Sequence, residues 1–106
     1  MSVVVIVTIF PGPEHRAEVV SAVEKAILQV HEEPGVEFYA LLEGDDRLMM
    51  IEKYESAQAQ AEHAKRPALT GLLAALDGKL TRELDVQVLT PHPAGDPRKG
   101  ALPSGA

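Results

Sequence analysis

The stretch Val3-Val4-Val5-Ile6-Val7-Thr8-Ile9-Phe10 decides the fold. Side chains of a β-strand alternate between two faces. Val3, Val5, Val7 and Ile9 therefore point one way, and Val4, Ile6, Thr8 and Phe10 the other. A strand with one wet face alternates apolar with polar; this one is apolar on both sides and needs a cover on each. Helices of the same chain can supply one cover. In a chain of 106 residues, the second cover is expected from another copy of the protein.

Outward from this strand, Pro11-Gly12-Pro13 is a strong break. A helix is expected from Pro13 or Glu14, with an apolar stripe of Val20, Val23, Ile27 and Val30 widened by Val19 and Ala26. Glu33-Pro34-Gly35 stops it. From Val36 to Glu43 the pattern alternates, placing Val36, Phe38, Ala40 and Leu42 on one face and Glu37, Tyr39, Leu41 and Glu43 on the other. Gly44-Asp45-Asp46 reads as a turn into a third-element strand, Arg47 to Tyr54, apolar on both faces. Ser56 can cap a short, alanine-rich helix running to about Lys65. Pro67 opens another, striped by Leu69, Leu72, Leu73, Leu76 and Leu80. Leu84, Val86 and Val88 alternate with Asp85 and Gln87 in a last strand.

This order predicts an α+β, ferredoxin-like βαββααβ domain over residues 1–90 with a four-stranded antiparallel sheet and helices on one face. The bare face predicts a homodimer, two sheets forming a dimeric α/β barrel. Residues 91–106 are too rich in Pro and Gly for a packed element. They read as a frayed tail or as an arm laid across a partner.

Composition narrows the function. The net charge of -6 argues against nucleic acid and anionic membrane surfaces. The absence of cysteine removes disulfides, thiolate metal sites and cysteine nucleophiles, and fits a cytoplasmic protein. The Val3–Phe10 run is too short to span a bilayer, and no basic segment precedes it as in a signal peptide. No phosphate-binding glycine loop, dinucleotide fingerprint or zinc-protease motif occurs. None of His15, His31, His63 and His92 lies at helical metal spacing from another, so no metal site is expected. His31, in a last helical turn, complements the helix dipole, and His15 faces solvent.

His63 stands in the weak second helix among Ala57, Ala59, Ala61 and Ala64. Alanines underfill the space beside a sheet, and an underfilled contact is where a small molecule fits. Tyr39 and Tyr54, the two tyrosines, lie on strands that this helix could cover. On pattern alone the ordinary reading is a surface histidine and two half-buried core tyrosines, because lone histidines are seldom catalytic.

The stretch Glu33-Pro34-Gly35-Val36-Glu37-Phe38-Tyr39-Ala40-Leu41 resembles the segment entering the second strand of the antibiotic biosynthesis monooxygenase (ABM) domain family. Ile51-Glu52-Lys53-Tyr54-Glu55-Ser56, followed by Ala59 and His63, is similar to it as well, and the Leu69–Leu80 stripe resembles the helix that follows. The resemblance runs from about Val3 to Val88, and the Pro93-Ala94-Gly95-Asp96-Pro97 tail is similar to that of small bacterial members. It implies a ferredoxin-like subunit paired into a barrel. It also implies oxidation of polycyclic phenols or quinols to quinones with O₂, without metal, flavin or other cofactor.

By that resemblance His63 is the catalytic candidate, and Gln60 departs from the apolar or aromatic residue usual beside Ala59. The heme-degrading branch uses an Asn, a Trp and a His where this chain has Val5, His63 and Leu73, and the chain has no Asn or Trp at all. The expected roles follow. His63 takes a phenolic proton, Tyr39 or Tyr54 hydrogen-bonds a substrate oxygen, and Ile9, Leu41 and Met50 wall a dry pocket. The substrates would be a small aromatic molecule and O₂. Two other readings stay open: a non-catalytic barrel binding a small apolar ligand, and an isomerase of a small phosphorylated metabolite supported by Lys53, Lys65 and Arg66 around the mouth.

Overall fold

A computed structural model describes residues 1–104. The opening apolar run forms β1 (Val3–Ile9), an interior strand. It pairs antiparallel with β3 (Leu48–Tyr54) on one side and β4 (Asp85–Leu89) on the other. β2 (Val36–Glu43) joins β3, giving the sheet order β2-β3-β1-β4. Three helices complete the chain: α1 (Arg16–Val30), α2 (Ala57–His63) and α3 (Pro67–Leu76). This is the expected ferredoxin-like α+β arrangement.

Register shows which side chains share a face. Val5 lies opposite Glu52, Val7 opposite Met50 and Ile9 opposite Leu48; across β2, Tyr39 lies opposite Glu52. This face meets the helices. Ile9, Tyr39, Leu48 and Met50 pack with Val19, Val23 and Val30 of α1 and Leu72 and Leu76 of α3. The opposite face carries Ile6, Met49 and Ile51, all half-buried, and Leu42, half exposed. Val4 and Thr8 on that face are buried within the single chain. The tail comes back towards it: the Lys53 ammonium donates to the carbonyls of Leu102 and Pro103. Residues 91–104 also contain a turn closed by the Gly100 amide on the Asp96 carbonyl. Residues 105–106 of the expected tail lie outside the described residues.

Four local expectations need correction. The helix expected from Pro13 begins as a 3-10 turn, Pro13–His15, closed by the His15 amide on the Gly12 carbonyl at 2.8 Å, and α-helical pairing starts at Arg16. The buried stripe of α1 is Val19, Val23, Ala26 and Val30, spaced four, three and four residues apart; Val20 and Ile27 only flank it. In β2 a bulge at Glu37 inserts one extra residue. Val36 thus pairs with Tyr54 on the helix face while Phe38 pairs with Lys53 on the other, and the two do not share a side. Finally, α3 ends at Leu76, so Leu80 lies beyond the helix and bridges Pro11, while Leu73 is 45% exposed.

Among the described residues, no helix is long and apolar enough to cross a membrane.

Candidate active site

The site begins with a turn. After α1 the chain reverses through Glu33-Pro34-Gly35, and Gly35 adopts φ +85°, a left-handed conformation that suits glycine. A Cβ there would sit 2.6 Å from the Ala59 Cβ. Glycine thus lets the turn slide directly beneath α2, and the Glu55 amide donates to the Gly35 carbonyl to hold it. Ser56 caps α2 by accepting from the Ala59 amide at 3.1 Å. The cap fixes the helix start, and His63 falls in its last turn, facing inwards.

His63 is 4% exposed, which rules out the surface-histidine reading. Its Nδ1 lies 2.9 Å from the Glu33 carboxylate, whose side chain is 7% exposed. A carboxylate accepts, so Nδ1 carries the proton and Nε2 is left as the basic nitrogen. Arg66 Nε stands 4.0 Å from the same Glu33 oxygen. Two aromatic rings hold the imidazole: Tyr39 edge-on at 5.5 Å and Tyr54 tilted at 5.4 Å between centroids.

Beside this group lies Glu52, 4% exposed and on the helix face of β3. The Tyr54 hydroxyl donates to its Oε1 at 2.6 Å. Among the described residues no cation lies within ion-pair distance of Glu52. Burial therefore dominates, and it pushes the carboxyl up to about 7 despite the opposing Tyr54 bond. Burial, reinforced by the Glu52 charge, likewise holds the Tyr39 and Tyr54 phenols well above their ordinary range.

These side chains border a cavity of about 260 Å³ between the sheet, α2 and α3. Its wall is mainly apolar (Val5, Ile9, Met50 and leucines of α3) with Tyr39, Glu52, Gln60 and His63 as the polar members. Of the residues expected from sequence, His63, Tyr39, Ile9 and Met50 border it. Tyr54 is fully buried behind His63, its hydroxyl committed to Glu52, and does not line the cavity. Leu41 is half-buried against the main core and does not wall the cavity. His31 does more than face a helix dipole: its Nε2 lies 3.0 Å from the Tyr39 carbonyl, tying the end of α1 to β2.

Sequence reasoning missed Glu33 and Glu52. For Glu52 a signal was present. Period two puts it on the face of Leu48, Met50 and Tyr54, where a charged residue is out of place. Glu33 looked like an ordinary helix-stop residue, and only the fold brings it to His63. Among the described residues, no three His, Cys, Asp or Glu side chains are grouped to hold a metal ion.

A profile of the family described as antibiotic biosynthesis monooxygenase matches residues 2–74. The chain belongs to this family. The ABM segment supplies the cavity wall up to Leu73, while Leu76, Leu84 and Val86 close it from beyond the matched stretch. Rv0793 from Mycobacterium tuberculosis superposes with a TM-score of 0.84 at 28% identity, over 91% of this chain and all of that one. A putative antibiotic biosynthesis monooxygenase from Caulobacter crescentus gives 0.78 at 21% identity, over 83% of this chain and 87% of that one. A second, from Deinococcus radiodurans, gives 0.80 at 18%, over 89% and 96%. The last two likenesses carry the ABM fold alone. No curated protein matches this chain.

Proposed function

We propose that this ABM-family protein is a monooxygenase that oxidises an aromatic phenol or quinol to a quinone with O₂, the substrate itself supplying the electrons. The observation that carries this reading is the buried Glu33–His63 pair. It leaves one basic nitrogen at the edge of a cavity that is otherwise mostly apolar.

The chemistry needs an anion. Triplet O₂ reacts slowly with closed-shell molecules, and a phenolate overcomes this by giving up one electron. A free phenol with a pKa near 10 is only about one-thousandth ionised at pH 7, so delivering the anion is worth about 4 kcal/mol. His63 Nε2 accepts that proton, and Glu33 stabilises the imidazolium. Tyr39 is the tyrosine able to donate to a substrate oxygen, since Tyr54 is occupied. The phenoxyl and superoxide radicals then join at the ring carbon para to the oxygen. The O–O bond breaks, one oxygen stays as the new carbonyl, and the other leaves as water with the phenolic proton and the proton from carbon. A quinol would instead surrender two electrons and two protons to O₂, giving quinone and hydrogen peroxide, an oxidase outcome in which no oxygen atom enters the substrate.

The isomerase reading loses support from the same geometry. A phosphate is held by a cation or by converging backbone N–H groups, and among the described residues no lysine or arginine lines the cavity. Lys53 belongs to the other face of the sheet beside Glu37, and Arg66 lies beside Glu33. The apolar wall alone would also suit a binding module, and turnover separates the two. An oxygen electrode with dihydroxynaphthalenes and anthrone as substrates should record uptake, and His63→Ala should slow it by about 10²–10⁴. Uptake unchanged by His63→Ala removes the histidine from the mechanism; no uptake with any phenol or quinol removes the monooxygenase reading. The working unit in this proposal is a homodimer joined through the bare sheet face.

A further inference from the structure

A mostly apolar cavity has no packing use for a carboxyl group; leucine or methionine would fill the Glu52 position at lower cost. Glu52 is nonetheless placed on the cavity wall, 4% exposed, with no compensating cation among the described residues. Among the described residues only one of its oxygens is engaged, Oε1, by the Tyr54 hydroxyl at 2.6 Å. That bond fixes the carboxyl plane and makes Oε2 the site where a proton can reside.

We propose that Glu52 is a specificity-determining residue: as a neutral carboxylic acid it donates a hydrogen bond from Oε2 to an acceptor oxygen of the ligand, while His63 engages a phenolic hydroxyl elsewhere on the same ring system. The ligand class is thus an uncharged hydroxyaryl ketone, a planar molecule with a donor oxygen and an acceptor oxygen at separate positions. Ligands with a carboxylate or phosphate in place of the ketone are rejected, since among the described residues no lysine or arginine lines the cavity to pair with them. This deepens the proposed function and rests on its choice of cavity, though not on any turnover.

The groups facing Glu52 are few. Tyr39 comes from β2, Tyr54 from β3 and His63 from α2, with Glu33 behind His63. α3, β1 and β4 contribute apolar side chains to the cavity. Burial already holds the carboxyl near neutrality, and a ligand that expels water strengthens the neutral form.

The test is equilibrium binding of two probes of equal shape to the full chain: 5-hydroxy-1-tetralone, and 5,6,7,8-tetrahydro-1-naphthol, which lacks the ketone. Both probes present the same hydroxyl to His63, so the ratio of their affinities reads the Glu52 side. At pH 6 the parent protein should prefer the ketone about five- to tenfold, the worth of one neutral hydrogen bond. By pH 8.5 the parent should lose that preference, because a carboxylate cannot donate. Glu52→Gln, which keeps an N–H donor, should retain it at both pH values, and Glu52→Leu should abolish it at both; thermal melts verify that each variant is folded. Equal binding of both probes by the parent at pH 6 overturns the role of Glu52, as does a parent preference that survives at pH 8.5. Binding of neither probe overturns it together with the cavity assignment, a failure distinct from an absence of O₂ uptake.

Discussion

His63 serves as a base only while its tautomer is fixed, and the Glu33 carboxylate fixes it by accepting from Nδ1. Glu33→Gln is nearly isosteric, yet its amide can turn its NH₂ towards Nδ1 and move the imidazole proton to Nε2. O₂ uptake should fall about 10²-fold, with no recovery as pH is raised, because the lost property is orientation as well as charge. Glu52 makes a separate prediction, on stability. Its carboxyl is pushed from the ordinary 4.5 to about 7 by burial. Below pH 4.5 it is neutral in the folded and unfolded chains alike and costs nothing. Between pH 4.5 and 7 the unfolded chain releases the proton while the folded one keeps it, so unfolding is increasingly favoured as pH rises. Above pH 7 the penalty is complete, at about 3 kcal/mol by the shift. Urea denaturation of the parent should show this loss between pH 5 and pH 8. Glu52→Gln should flatten that segment of the profile and be the more stable protein at pH 8.

At the scale of elements, the turn before β2 and the seven-residue α2 act as one unit, since Gly35 touches Ala59 and Glu33 reaches His63. Gly35→Ala must either strain a backbone at φ +85° or drive α2 away from a contact of 2.6 Å. It should cost about 1–3 kcal/mol in urea denaturation and slow O₂ uptake by displacing His63 from Glu33. These elements also show what the sequence could disclose. Periodicity located β1, β2, β3, α1 and α3, each of which buries a face with its own repeat; the alternation of β4 was legible although its five residues are exposed, and α2 was placed by its Ser56 cap and by Pro67. It misassigned Val36, because a bulge at Glu37 carries no marker in side-chain type and flips every face before it. It centred α1 one residue late, because Val19, Val20, Val23, Ala26, Ile27 and Val30 offer two overlapping stripes. On pattern alone it left His63 as a surface histidine, whose candidacy came from the family resemblance, and it gave no sign of Glu33, which lies thirty positions away and meets His63 through the Gly35 turn. Tyr54 and Leu41 were placed on the correct strands, yet which of several inward side chains reaches a cavity depends on helix position.

At the scale of the whole molecule, the sheet face away from the helices is the unresolved surface. Ile6, Ile51 and Ala40 form its central row through the register of β1, β3 and β2, with Met49 and Leu42 alongside. The returning tail reaches Lys53, near the end of this face, and leaves the central row half open. A sheet face of such composition exposed to water is costly, and a second copy related by a twofold axis would cover each such row with another. The proposed dimer therefore predicts light scattering at about twice the mass of one chain at micromolar concentration. Ile51→Glu would set a charge in the middle of that contact, facing its own mate or an apolar row, without touching the cavity on the opposite side of β3. It should yield folded monomers. Ending the chain at Thr90 removes the tail and leaves the central row intact, so the shortened protein should still dimerise if the sheet, and not the arm, makes the contact. A parent that scatters as a monomer would show that the single chain tolerates its bare face. A dimer lost on truncation but kept in Ile51→Glu would move the interface from the sheet to the tail.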